Sequence, residues 1–159
     1  MKYHTVLTAN QGLNTPPTNP CKLLDFAMLK LNAGEIYTGE TPGREILAVI
    51  LGGKASFEVN GKRFDKVGGR PNVSSGKPHS LYLPAGAKFS IQAESAVEIA
   101  LPSAPSDLQA DPYLITPSQV ANGAWGAANF KRYFHQILTL ASQPELPARP
   151  GELQLGRLH

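Results

Sequence analysis

The centre of the sequence is a run of short β-strand patterns joined by tight turns. Residues Ile46 to Leu51 are apolar on both faces, which indicates a fully buried strand. The next segment, Ala55 to Val59, alternates apolar and polar residues, which is typical of a half-buried strand. Asn60-Gly61 follows directly and favours a type I′ hairpin, because both central positions of that turn need positive φ. This region therefore predicts antiparallel β-structure.

Further strand patterns lie on both sides of this centre. Residues Cys21 to Tyr37 predict one or two strands with a turn at 32–34, and shorter patterns follow at Leu81 to Leu83, Phe89 to Ala93 and Ala96 to Leu101. The 15 glycines and 14 prolines are spread along the chain as turn residues. About seven or eight short strands within roughly eighty residues favour a closed barrel or jelly roll. We therefore expect an all-β fold.

The two ends of the chain have a different composition. We expect residues 1–20 to form an extended arm, 21–105 a single barrel, and 106–159 a linker, a short helix and a tail. Thr116-Pro117-Ser118-Gln119 predicts a helix start, with Thr at the N-cap and Pro at the first helical position. The apolar spacing in Phe130 to Leu138 fits a helix or a strand. The Pro-rich tail from 142 to 159 reads as loosely ordered.

Bulk properties exclude several classes of protein. The chain has 159 residues, a formal charge of +3 and no run of Lys or Arg longer than two, which argues against nucleic acid as a partner. No apolar stretch approaches the roughly 20 residues of a membrane span, and the N-terminus lacks the apolar core of a secretory signal. The single cysteine, Cys21, excludes an internal disulfide. These features predict a soluble cytoplasmic protein without a membrane or nucleic-acid partner.

Residues Gly34 to Gly61 resemble the first conserved motif of the cupin β-barrels, in which two histidines and a glutamate point inward and bind a divalent metal. Counting back from Glu45, the histidine positions hold Gly39 and Thr41, and Phe89 stands where the second cupin motif has a fourth ligand. A catalytic transition metal needs three or four donor side chains. The resemblance thus implies a single cupin-like barrel with a short C-terminal extension, and we expect neither a bound metal nor another cofactor.

A narrower resemblance, over residues 20–138, is to the N-terminal half of 5-deoxyglucuronate isomerase of inositol catabolism. It is carried by the following segments: Gly-Gly-Arg at 68–70, Leu-Tyr-Leu-Pro-x-Gly at 81–86, Glu98 before Ala104-Pro105, Ile115-Thr116-Pro117, and Asn129-x-x-Arg132. Members of that family have two cupin barrels, a degenerate N-terminal one and a metal-binding C-terminal one. The resemblance implies that residues 132–138 form a strand entering the second barrel.

The family's His-rich ligand motif has no counterpart after Leu138, so no catalytic residue is carried over. We expect a member of this isomerase family that does not catalyse the aldose–ketose isomerisation alone. The alternatives are a non-catalytic protein that binds a small sugar acid and a structural dimer module. A homodimer is expected because exposed edge strands favour pairing across a two-fold axis.

Five residues are candidates for substrate binding: Arg44, Glu45, Arg70, His79 and Arg132. The three arginines fit a carboxylate-binding set, since guanidinium groups bind carboxylates bidentately, although three loop arginines also occur on any soluble surface. Glu45 either pairs structurally with Arg44 or Arg70, or accepts hydroxyls of a sugar inside the barrel. His79 is an acid–base candidate if its loop meets that of Arg70 at the barrel mouth. Trp125 is expected to be a packing residue or, alternatively, a surface that stacks on a sugar ring.

Overall fold

The computed structural model describes residues 5–139, which fold into twelve β-strands and two single-turn 3₁₀ helices. The strands are β1 (Gly12–Asn14), β2 (Asp25–Leu31), β3 (Ile36–Glu40), β4 (Arg44–Gly52), β5 (Lys54–Val59), β6 (Lys62–Gly68), β7 (Ser80–Leu83), β8 (Lys88–Ala93), β9 (Val97–Pro105), β10 (Tyr113–Ile115), β11 (Ala121–Trp125) and β12 (Arg132–Gln136). The 3₁₀ helices are Pro117–Gln119 and Ala128–Phe130. The expectation of an all-β chain is confirmed.

The strands form two main sheets and one separate ribbon. The larger sheet has six strands in the order β1-β2-β9-β4-β7-β10, and the smaller has four in the order β3-β8-β5-β6. Every pairing is antiparallel. Strands β11 and β12 pair only with each other within residues 5–139. The two main sheets enclose one core, so the predicted cupin-like jelly roll is confirmed.

The interior of the barrel is filled by alternate residues of the two sheets. In β4, Ala48 and Ile50 point inward and are fully buried, and they join Phe57 and Ile91 of the smaller sheet in one apolar cluster. Each large apolar side chain buried in this way contributes about 1.5–3 kcal/mol to folding. The interior is therefore a packed core over most of its length.

The outer face of the six-stranded sheet is covered by the C-terminal part of the chain. Leu47 and Val49, the other face of β4, form a second buried cluster with Ile115 and Val120, and Ile137 packs against it. Strand β10 extends the sheet by pairing with β7. The sequence placed a linker here, and β10 went unpredicted because three residues of Tyr-Leu-Ile carry too little pattern for detection.

Several local expectations can be compared with the structure. The Asn60-Gly61 hairpin is confirmed, with φ of 50° and 83° at the two residues. The helix start is also confirmed, since Thr116 and Gln119 form a capping box on a 3₁₀ turn. The strand expected to end at Leu101 continues to Pro105, because pairing with β2 and β4 on both sides carries it past Pro102.

The segment Phe130 to Leu138 contains strand β12, as the resemblance implies, and the helical interpretation is wrong. The spacing of its apolar residues fits both a helix and a strand. In the structure the segment pairs with β11 and is therefore a strand. Part of the predicted arm, Gly12–Asn14, forms β1 at the edge of the larger sheet. The tail from 142 to 159 lies outside the described residues. The three-part division of the chain stays a prediction.

Two glycines with similar backbone angles test how tightly the barrel end is packed. Gly53 has φ +89°, and a Cβ there would lie 2.1 Å from the carbonyl oxygen of Ala96. Gly61 has φ +83°, and nothing lies within 4 Å of its Cβ position. We expect Gly61→Ala to lower the free energy of unfolding by about 1 kcal/mol, and Gly53→Ala by clearly more, because strained backbone alone costs about 1–3 kcal/mol. Urea denaturation of both variants measures the difference; equal losses would contradict the packing described here.

Candidate functional site

The place where a cupin metal would lie is occupied by the ring of Phe89. Gly39 of β3 and Phe89 of β8 are directly paired, and both face the interior. A Cβ on Gly39 would lie only 2.7 Å from Cζ of Phe89, so the ring rests on the glycine backbone. Tyr37 packs beside it, with 6.2 Å between ring centroids. An aromatic side chain thus takes the volume that inward histidines would need.

Thr41, at the second expected histidine position, is committed to backbone hydrogen bonds. Its hydroxyl donates to the carbonyl of Pro84 at 2.6 Å and accepts from the N–H of Ala87 at 2.8 Å. In residues 5–139, no group of three or more His, Cys, Asp and Glu side chains is arranged to hold a metal ion. The residues present at the positions of the cupin metal ligands, Gly39, Thr41 and Phe89, therefore do not fit a metal.

Glu45 does not point into the barrel, contrary to the expectation. Its neighbour Ile46 packs against the interior, while Glu45 lies on the outer face of the larger sheet beside Leu47 and is 1% exposed. The turn at Pro42-Gly43, with φ +62° at Gly43, reverses the chain between β3 and β4. Odd-numbered residues consequently face inward before the turn and outward after it. Glu45 is not a remnant metal ligand, and no sugar inside the barrel reaches it.

The carboxylate of Glu45 accepts a hydrogen bond from the hydroxyl of Tyr82, with 2.7 Å between the oxygens. Tyr82 lies on the same outer face of β7 and is 2% exposed. Burial, together with the hydrogen bond to Glu45, raises the pKa of Tyr82 far above its usual value. For a structural Glu45 the sequence predicted Arg44 or Arg70 as its partner; the structure shows instead a hydrogen bond from the neutral phenol of Tyr82 on the adjacent strand.

Arg44 lies at the open end of the barrel and ties three strands together. Its guanidinium forms an ion pair with Asp25 of β2 at 2.9 Å and donates to the hydroxyl and carbonyl oxygens of Ser103 in β9. A cavity of about 370 Å³ opens at the same end, lined among others by Asp25, Phe26, Tyr37 and Ser103. Arg44 does not line this cavity itself, and its guanidinium is already paired with the carboxylate of Asp25, which does.

Arg70 and His79 lie together at the opposite end of the barrel. Arg70 donates to the carbonyls of Ile50 and Gly76 at 3.0 and 2.8 Å, and the carbonyl of His79 accepts from the N–H of Ile50. Burial and the nearby positive charge of Arg70 lower the pKa of His79, so the imidazole is neutral at pH 7. Burial also lowers the pKa of Arg70. The arginine here holds a loop carbonyl, that of Gly76, and a strand carbonyl, that of Ile50.

The five candidate residues therefore do not form one site. Six strand residues, or about 20 Å, separate Arg44 from Ile50, where Arg70 binds. Arg132 is exposed on β12, opposite Trp125 in the ribbon. Only Arg70 and His79 are brought together, and the three arginines do not converge on one carboxylate.

Comparison with known proteins decides the family. A family model described as KduI/IolB matches residues 5–146. The chain belongs to the KduI/IolB family.

Relatives within the KduI/IolB family carry the name 5-deoxy-glucuronate isomerase. The chain is 33% identical over 131 residues to the protein of Geobacillus kaustophilus, covering 82% of this chain and 47% of the relative. It is 31% identical over 136 residues to that of Bacillus subtilis strain 168, covering 85% and 47%. The crystal structure of an IolB-like protein from Salmonella typhimurium superposes with a TM-score of 0.78 at 26% identity, covering 86% of this chain and 54% of that one. The chain spans about half the length of the curated relatives it matches.

Two residues of this KduI/IolB barrel were missed from the sequence. Tyr82 and Asp25 hold Glu45 and Arg44, respectively, across strands. Tyr82 was detectable in principle, since the alternation in Leu81-Tyr82-Leu83 sets its side chain on the opposite face from the two leucines.

No helix among residues 5–139 has the length and apolarity of a membrane span.

The Tyr82–Glu45 bond predicts a distinct alkaline response. Because the folded pKa of Tyr82 is raised above the unfolded value near 10, the stability it contributes is present below about pH 10 and lost as the pH rises further. We expect the free energy of unfolding to fall by up to about 1.4 kcal/mol per pH unit there. Tyr82→Phe should remove this dependence and lower stability at pH 7 by about 1–3 kcal/mol, since the buried carboxylate loses the hydrogen bond from the Tyr82 hydroxyl. Denaturation from pH 7 to 11 tests this, with Tyr37→Phe as control; an unchanged alkaline slope in Tyr82→Phe would refute it.

Proposed function

We propose that this chain is a non-catalytic barrel of the 5-deoxy-glucuronate isomerase system of inositol catabolism, and that it works in the cytoplasm. The observation that carries the proposal is the Phe89 ring packed on Gly39 in the place of the metal site. Membership of the KduI/IolB family supports the proposed pathway. The packing of the barrel interior supports the proposed lack of catalysis.

An aldose–ketose isomerisation moves a proton between adjacent carbons while a carbonyl is polarised. The interior offers no group for either task at the usual position. Thr41 donates to and accepts from the backbone, and Glu45 lies behind the sheet on the opposite face. His79 is neutral and lies at the far end of the barrel from the cavity. We infer that the reacting groups come from a second barrel. The half of the longer relatives that this chain does not match would correspond to that barrel.

The test combines a metal titration with a complementation assay. We expect the purified chain to bind no stoichiometric zinc, manganese or iron by elemental analysis, and to show no turnover of 5-deoxy-glucuronate with any of them. Co-expression with the half of the Geobacillus kaustophilus relative that this chain does not match should give activity above that half alone. Metal-dependent turnover by this chain alone would refute the non-catalytic role. Activity of the other half that is unaffected by this chain would refute the partnership.

A second candidate function is the binding of a small sugar acid at the barrel mouth. The observation that favours it is a cavity of about 370 Å³, a size in the range of small-molecule sites, two of whose lining residues, Asp25 and Ser103, are bound by the guanidinium of Arg44. The ion pair with Asp25 opposes it, since an incoming carboxylate must compete for the same guanidinium. If this second function is correct, Asp25 sets the affinity of the barrel mouth for carboxylic acids.

Glucuronate is a suitable probe for this candidate. Asp25→Asn should raise its affinity about tenfold or more, because the substitution frees Arg44 and removes a negative charge from the rim. Arg44→Gln should abolish the gain in the double variant. Calorimetric titration measures both, with glucose as the uncharged comparison. If glucuronate and glucose bind equally, or not at all, to Asp25→Asn, the mouth is not a carboxylate site.

A further inference from the structure

The cavity of about 370 Å³ at the open end of the barrel has walls from both the barrel and the N-terminal segment. Leu13 of β1 lines it, together with Pro16 and Asn19 of the loop that joins β1 to β2. Ile46 and Leu101 line it from the larger sheet. A cavity of about 150 Å³ already holds a benzene ring. This cavity therefore has room for a small ligand with one ring.

Three aromatic rings line the cavity, those of Phe26, Tyr37 and Phe89. Tyr37 and Phe89 come from the smaller sheet, with 6.2 Å between their ring centroids, and Phe26 comes from β2 of the larger sheet. Trp125 does not line this cavity and is 69% exposed, so it is not the packing residue that the sequence predicted. Because the faces of aromatic rings carry partial negative charge, the three lining rings favour a positively charged ligand.

The charged side chains that line the cavity are two carboxylates, Asp25 and Glu40, and no Lys, Arg or His among residues 5–139 lines it. Two cations lie close by. Arg44 forms the ion pair with Asp25, and Lys88 is the cross-strand neighbour of Glu40. Within the described part of the chain, Glu40 forms no ion pair with either of them. The walls therefore present negative charge that is only partly compensated.

The hydrogen-bonding side chains of the walls offer mainly acceptors. The amide nitrogen of Asn19, the one side-chain N–H donor among the described lining residues, already donates to the carbonyl of Leu24 and the carboxylate of Asp25. The other polar lining groups are the two carboxylates and hydroxyls, and a hydroxyl either donates or accepts. A carboxylate ligand would meet other carboxylates here and find no unused N–H on a lining side chain. An ammonium group brings three donors and no acceptor.

We propose that this cavity binds a small organic ammonium ion, whose apolar body lies against the three aromatic rings and whose protonated amine is bound by the carboxylates of Glu40 and Asp25. The inference does not rest on the isomerase role. It concerns the same cavity as the second candidate function and predicts the opposite charge preference in the unsubstituted chain, so one set of titrations separates the two.

Three probes with the same ring and different charge test the proposal: benzylamine, benzyl alcohol and benzoate. In calorimetric titrations of the full chain at pH 7, benzylamine should bind with a dissociation constant on the order of 1 mM, about tenfold or more below that of benzyl alcohol, and benzoate should bind most weakly. Benzoate or benzyl alcohol binding as tightly as benzylamine would overturn the proposal. The absence of benzylamine binding up to about 10 mM would overturn it as well.

Two substitutions that change the net charge equally locate the binding site. Glu40→Gln removes the carboxylate at the cavity and should weaken benzylamine binding about tenfold, with the binding of benzyl alcohol unchanged. Glu58→Gln is the control, because Glu58 is exposed on β5, two strands from β3 in the smaller sheet, and does not line this cavity. It should change neither constant by more than about twofold. Equal losses in the two variants would show that binding follows net charge alone and would overturn the site.

A third variant tests the aromatic wall separately from the carboxylates. Phe26 is 38% exposed, so Phe26→Leu leaves the buried core intact. It should weaken benzylamine binding more than benzyl alcohol binding, because leucine keeps an apolar surface but has no negative ring face. If the ratio of the two dissociation constants stays the same in this variant, the placement of the ammonium ion against the rings is wrong.

Discussion

The two faces of β4 govern the rest of this structure. This strand lies between β9 and β7 in the larger sheet, and its residues alternate between the barrel interior and the outer cluster under the C-terminal segment. A shift of one residue would turn Glu45 into the apolar interior and Ile50 out of it, and a buried carboxylate without a partner is costly. The Tyr82 hydrogen bond to Glu45 is available in one register only, so it contributes to specifying the register as well as to stability.

The same alternation explains why the barrel interior carries packing residues at the positions that hold metal ligands in the cupin motif. Interior positions at the mouth are Gly39, Thr41 and Phe89, and each contributes packing or backbone hydrogen bonding. The Phe89 ring, resting on Gly39, buries apolar area in the barrel. A metal site at this position would have polar ligands there instead. The space around Gly39 cannot hold both the Phe89 ring and a metal site, and here Phe89 belongs to the main apolar core.

Much of the fold could be predicted from the sequence because its strongest signals are local. Alternating apolar residues and the Asn60-Gly61 turn specify strands and a hairpin without reference to anything distant. The candidate site was less predictable, because side-chain partners lie far apart in sequence: Asp25 contacts Arg44, and Tyr82 contacts Glu45. The direction of Glu45 was wrong because the cupin motif resemblance placed it inside the barrel with Gly39 and Thr41, whereas after the turn at Gly43 it faces outward. The strand at Arg132–Gln136 was ambiguous for a related reason, since its partner β11 has almost no strand pattern of its own.

The C-terminal segment covers the outer face of the larger sheet and determines the surface on that side of the barrel. Ile115, Val120 and Ile137 bind it to the outer face of the larger sheet, so the ribbon is held away from the barrel on an anchored base. Its exposed side then carries Tyr133, while Trp125 and Phe130 lie at its tip.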